Sequence, residues 1–127
     1  MDIKRILFAL VLSHLFAQTV FGQHDRQKVR LARLVIDSTQ LEPYKALLKE
    51  EIETSVRVEP GVITLYAVSE NDKPTHITIL EIYASEEAYK SHIKTPHFLK
   101  YKQGTASMVK SLDLAEGLPL VPGMKIK

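Results

Sequence analysis

An α+β fold with the element order β-α-β-β-α-α-β is predicted from three features of the sequence. Runs of β-branched and aromatic residues recur along the chain, the segments between them carry apolar residues at helical spacing, and Ser, Thr, Pro and Gly stand where helices should start and stop. The chain has 127 residues, enough for one hydrophobic core and short for two.

The segment that comes first, "MDIKRILFALVLSHLFAQTVFGQ", is set apart from the fold. Lys4 and Arg5 precede an apolar run from Ile6 to Ala17, and small residues follow at Ala17 and Gly22, so residues 1–22 are read as a signal peptide. The run is shorter than the roughly 20 residues that a membrane span needs, and no stable membrane insertion is expected once the signal is removed. The expected destination is the periplasm or the exterior. The chain has no cysteine, so an exported form has no disulfide framework and its core must hold it together. Formal charge is +2 from 17 basic and 15 acidic residues, and falls to +1 when Asp2, Lys4 and Arg5 leave with the signal. That balance, with no basic stripe, argues against a nucleic-acid partner.

The remaining elements follow in order. "KVRLARLVID" has the length and apolar content of a strand. In "STQLEPYKALLKEEIETSVRVEPG" the residues Leu41, Tyr44, Leu48, Ile52 and Val56 repeat every three or four positions, the buried stripe of a helix capped by Ser38 or Thr39. Pro43 then falls in or beside the first turn, where backbone N–H groups lack partners anyway, and Pro60-Gly61 marks the stop. "VITLYAVSE" and "THITILEIYA", joined by "NDKP", read as an antiparallel hairpin. Within its second strand Ile77, Ile79, Glu81 and Tyr83 share a face, which sets Glu81 among apolar neighbours. "SEEAYKSHI" is a short helix capped by Ser85, with His92 on its apolar side. Thr95 and Pro96 restart the chain as N-cap and first residue of another helix, carrying Phe98, Tyr101, Thr105 and Met108 at helical spacing. "SLDLAEGLPL" closes the sheet.

This order is the ferredoxin-like split βαβ plan, with its second helix broken at Thr95-Pro96. It occupies residues 28–118, with residues 119–127 as a C-terminal extension. Helices cover one sheet face. The other keeps apolar residues, and a homodimer that packs sheet on sheet is expected.

"EPGVITLYAVSE", "ILEIYASEEAYKSHIKTPHFLKY" and "MVKSL" together resemble the antibiotic biosynthesis monooxygenase family, and within it the small quinol monooxygenase-like branch. The resemblance implies a dimeric α+β barrel, frequently without metal or flavin, and so no cofactor here. The chain departs from branches that use a pocket tryptophan or an Asn, Trp and His set for haem breakdown. It has no tryptophan, and its one asparagine, Asn71, lies in the hairpin turn.

Oxygenation without a cofactor requires an electron-rich anion, because triplet oxygen reacts with a closed-shell molecule only after accepting one electron. The protein must then supply a base and a dry pocket. Histidine titrates near neutrality, which makes His92 and His97, flanking Thr95-Pro96 in "HIKTPHF", the candidate catalytic residues. Tyr66, Glu81, Tyr83, Tyr89, Phe98 and Tyr101 are the candidate substrate-binding residues. The expected substrate is a small hydrophobic, quinol-like or enolisable aromatic compound, with molecular oxygen as the second reactant. Each residue also has a purely structural reading: His92 as a packed core histidine, His97 as an exposed first-turn residue, Glu81 as the ion-pair partner of Arg33, the tyrosines as core. His92 and His97 straddle a helix break, and no compact His/Asp/Glu spacing resembles a metal motif. A non-catalytic dimer that binds a small molecule, or an envelope stress protein, is the alternative.

Overall fold

The computed structural model describes residues 26–121. The signal peptide expected at residues 1–22, and positions 122–127 of the expected C-terminal extension, lie outside the described residues. The chain folds as β1 (Lys28–Ile36), a 3-10 turn (Ser38–Gln40), α1 (Leu41–Val58), β2 (Val62–Ser69), β3 (His76–Tyr83), α2 (Glu86–His92), α3 (Pro96–Thr105) and β4 (Val109–Gly117). All pairings are antiparallel and the strand order is β2-β3-β1-β4, the ferredoxin-like arrangement expected from the element order.

Ala32, Leu34 and Ile36 of β1 and Ile77 and Ile79 of β3 point to the helices and pack with Tyr44 and Leu48 of α1. Alternation along β3 places Glu81 and Tyr83 on that same face, one and two steps beyond Ile79. The core therefore shades into a polar cluster at one end of the sheet.

Four local expectations are corrected. The cap of the first helical segment is Asp37, whose carboxylate accepts from Thr39 N at 2.9 Å, rather than Ser38 or Thr39. A 3-10 turn precedes α1, and Pro43 still falls in the first turn of α1 proper. The stripe of α1 that is buried runs Tyr44, Leu48, Glu51, Ser55, whereas Ile52 is half-buried and Val56 is 50% exposed. Glu81 meets Arg30, its register partner on β1, with Nε to Oε2 at 3.9 Å, while Arg33 points to the opposite face and bonds Asp113 at 3.0 Å. The reason is parity: residues three apart on a strand face opposite sides. The closing strand also begins earlier than "SLDLAEGLPL", at Val109.

The sequence Glu59-Pro60-Gly61 turns the chain from α1 into β2. Gly61 sits so close to α2 that a Cβ there would lie 2.6 Å from the Ala88 Cβ, a contact no side chain tolerates. Its carbonyl accepts from Ala84 N at 2.8 Å. Glycine at this point lets the end of α1, and with it Glu59, lie against the α2 and α3 pair.

Candidate active site

Glu59 is the C-cap of α1, held by its N–H to the Ser55 carbonyl and by Val62 N on its own carbonyl. His92 ends α2 and His97 is the second residue of α3. Between them Thr95 both accepts from Phe98 N, capping α3, and donates to the His92 carbonyl at 2.7 Å. The tight Thr-Pro link thus fixes two imidazoles against one carboxylate: Glu59 Oε2 lies 2.9 Å from His92 Nδ1 and 2.6 Å from His97 Nε2. On the far side of His92, Nε2 is 3.4 Å from Glu51 Oε1, which also accepts from Ser55 Oγ at 2.8 Å. Glu51, His92, Glu59 and His97 form a continuous chain.

Burial runs down that chain. The side chains of Glu51 and His92 are 5% and 2% exposed, those of Glu59 and His97 14% and 16%. Burial pushes the Glu51 carboxyl above its ordinary range, with the Ser55 hydrogen bond and the histidines opposing it. Burial also pushes the Glu59 carboxyl up, but the hydrogen bonds to His97 and His92 together outweigh it and leave it below its ordinary range. Glu59 is the anion of the cluster. It accepts from both rings, so with neutral rings both protons at this contact sit on nitrogen, and His97 Nδ1 is left as an unprotonated lone pair.

Aromatic rings enclose His92. Its centroid is 5.3 Å from that of Tyr83 and 5.0 Å from that of Phe98, and Tyr83 in turn stacks edge-on with Tyr89 at 5.3 Å. The Tyr83 hydroxyl donates to Glu81 Oε2 at 3.0 Å. Tyr89 carries Lys28 Nζ and the Arg30 guanidinium over its ring at 4.9 and 4.7 Å. Of the residues singled out from the sequence, His92, His97, Tyr83, Tyr89, Phe98 and Glu81 therefore gather in one cluster. Tyr101 lies further along α3, its hydroxyl 2.8 Å from that of Tyr44. Tyr66, 67% exposed and opposite Leu80, is on the sheet face that no helix covers.

Glu51 and Glu59 were not among the sequence candidates. Glu59 stands in the "EPG" stop signal, and Glu51 completes a spacing of four, three and four with Tyr44, Leu48 and Ser55. Two clefts open elsewhere: one of about 320 Å³ between Arg26, Lys28, Glu86 and Glu116, and one of about 300 Å³ between α1 and β2. Neither is lined by His92 or His97. Among the described residues no helix is long and apolar enough to cross a membrane.

A family model described as antibiotic biosynthesis monooxygenase matches residues 29–104. Among solved structures, a Bacteroides thetaiotaomicron protein named a "putative antibiotic biosynthesis monooxygenase" is 61% identical, with 80% of this chain and 97% of that chain covered and a TM-score of 0.79. A Lactobacillus acidophilus protein named a "putative monooxygenase" is 33% identical over 75% of this chain, at TM-score 0.71, and the match spans 45% of its own length. A protein from Nitrosomonas europaea at 22% identity, covering 82% of this chain and 98% of that chain with a TM-score of 0.71, shares the fold. No curated protein matches the chain.

Proposed function

We propose, from the premise that this chain belongs to the antibiotic biosynthesis monooxygenase family, that it oxidises a small quinol-like or enolisable aromatic compound with molecular oxygen and without a metal or flavin. The observation that carries this reading is the 2.6 Å contact between Glu59 Oε2 and His97 Nε2. A carboxylate that holds one nitrogen as N–H presents the other as a base, the arrangement that orients histidine in acyl-transfer triads. His97 is the ring nearer the surface, and its Nδ1 takes the proton of the phenol or enol. The anion then passes one electron to oxygen and the radical pair recombines at a ring carbon. One oxygen atom stays on the product, the other leaves as water, and all the electrons come from the substrate. Tyr83, Tyr89 and Phe98 form the apolar wall against which the ring would rest, and Tyr83, held to Glu81, supplies a fixed neutral hydroxyl.

Oxygen consumption with a panel of hydroquinones tests this. Uptake above the uncatalysed autoxidation rate, with a product that is both hydroxylated and oxidised to the quinone and contains one atom of labelled oxygen, is the expected result. Uptake at the background rate for every compound would instead favour a non-catalytic binding protein. That alternative draws on one observation, the close packing of Tyr83 and Phe98 about His92.

The reading includes export and a homodimer. Leu31, Val35, Leu80 and Ile82 are only half-buried on the face without helices, and Tyr66 and Val68 there are 67% and 50% exposed. A second copy of the same face would cover it with an equal apolar area. The Lactobacillus relative, more than twice the length of its matched part, leaves room for a second such unit in one chain. Protein from a native envelope preparation should begin near Gln23 by mass spectrometry and scatter light as about twice the monomer mass at micromolar concentration. An intact Met1 in the soluble cytoplasm, or a clean monomer, removes the corresponding part of the proposal.

A further inference from the structure

The donor set at the helix break has the composition of a transition-metal site. Glu59 Oε2, His92 Nδ1 and His97 Nε2 all lie within 4.8 Å of one another. Two imidazoles and one carboxylate suit a divalent ion of intermediate softness, and bonds of about 2.0–2.1 Å in tetrahedral geometry place donors roughly 3.3 Å apart. The present contacts of 2.9 and 2.6 Å fall short of that spacing. Binding requires the Glu59 carboxylate to draw back from both rings. Glu59 is the C-cap residue just beyond α1 and partly open to solvent, a place where a side chain can shift without disturbing a helical turn.

A second observation comes from a residue outside the three donors, Glu51. A histidine that binds a metal through one nitrogen commonly donates the other N–H to a carboxylate, which fixes its tautomer. His92 Nε2 faces the buried Glu51 Oε1 at 3.4 Å, close enough for Glu51 to become that partner once a metal takes Nδ1. The ring is already oriented with Nδ1 toward Glu59 and Nε2 toward Glu51.

We propose that Glu59, His92 and His97 bind one divalent transition-metal ion per chain, and that the ion silences the base. Ligation by His97 through Nε2 requires its proton to sit on Nδ1, the atom that otherwise accepts the substrate's proton. Metal and substrate proton then compete through one tautomer. The silencing rests on the reading given under Proposed function, but the binding does not.

Chelator-treated full-length protein titrated with Zn²⁺, by calorimetry and by equilibrium dialysis with metal analysis, tests the binding. Saturation near one ion per chain is expected. Glu59→Gln and His97→Ala should each weaken it by about a hundredfold, and Glu51→Gln by about tenfold, the usual scale for a supporting carboxylate. His76→Ala, at the start of β3, should bind as the parent does, and circular dichroism should report the same fold for each variant. No saturable binding, or binding that survives both Glu59→Gln and His97→Ala, overturns the site. Where the metal-free protein consumes oxygen, one equivalent of Zn²⁺ should abolish uptake and chelator should restore it; unchanged uptake with zinc bound overturns the silencing. Zinc binding in a protein that oxidises nothing would sink the oxygenase reading and leave the metal site standing.

Discussion

Replacing His97 with alanine should lower oxygen uptake by roughly a hundredfold or more and leave the thermal midpoint almost unchanged, because the ring is partly exposed and is the base of the proposed reaction. His92→Ala should behave differently. Its ring is 2% exposed, lies between two carboxylates and touches Tyr83 and Phe98. Removing it leaves Glu51 and Glu59 facing each other across a cavity without the intervening donor, and truncating a large buried ring to alanine typically costs about 3–5 kcal/mol. The expected phenotype is a protein that melts much earlier. Glu59→Gln separates positioning from packing. The amide keeps an acceptor for one ring but loses the charge that favours N–H on both, so turnover should fall while the profile of rate against pH shifts. A structural role for Glu59 would lower stability and leave the shape of that profile unchanged. Parent-like oxidation by both His97→Ala and Glu59→Gln would show that "HIKTPHF" is a capped helix start with no part in the chemistry.

Much of this arrangement is legible along the chain, and the part that is not has a common cause. Ser85 and Thr95 cap their helices as read, since a hydroxyl followed by a first turn is a local signal that needs no tertiary partner. The hairpin and the strand order follow from β-branched runs and turn chemistry in the same way. Glu51 was not legible. Its burial depends on His92 arriving from α2, and the stripe that holds it competes in the sequence with Ile52 and Val56, which are equally spaced and more apolar. Glu59 was visible only as part of a stop signal. Its role appears when Gly61 lets α2 approach within van der Waals distance and Thr95-Pro96 returns His97 to the same carboxylate. Helical period reports which face is apolar. It does not report which acid will meet a base from another element.

The same burial predicts a steep loss of stability in alkali. Tyr83 and Tyr101 have their phenol groups pushed far above the ordinary range, in each case mainly by burial. Glu81 adds to the effect at Tyr83, and the Tyr44 hydroxyl and the acids Glu51 and Glu81 add to it at Tyr101. Tyr44 is raised as well, again chiefly by burial, although its hydrogen bond with Tyr101 opposes the shift. The sign follows from proton counts. Below pH 10 both folded and unfolded chains hold these protons and nothing changes. Above it the unfolded chain releases them while the folded chain keeps them, so each further unit of pH favours unfolding by about 1.4 kcal/mol per buried phenol. No recovery is expected at higher pH while the folded chain keeps these protons. Urea unfolding followed from pH 8 to pH 11 should therefore give a flat plateau and then a fall of about 4 kcal/mol by pH 11 if all three phenols stay protonated. Phenolate absorbance should show Tyr44, Tyr83 and Tyr101 releasing their protons only with the unfolding transition. Tyr83→Phe combined with Tyr101→Phe removes two of the three protons and should leave about a third of the slope. A parent protein as stable at pH 11 as at pH 8, or a double variant that loses stability just as steeply, would mean that water reaches these hydroxyls and that the wall around His92 is open.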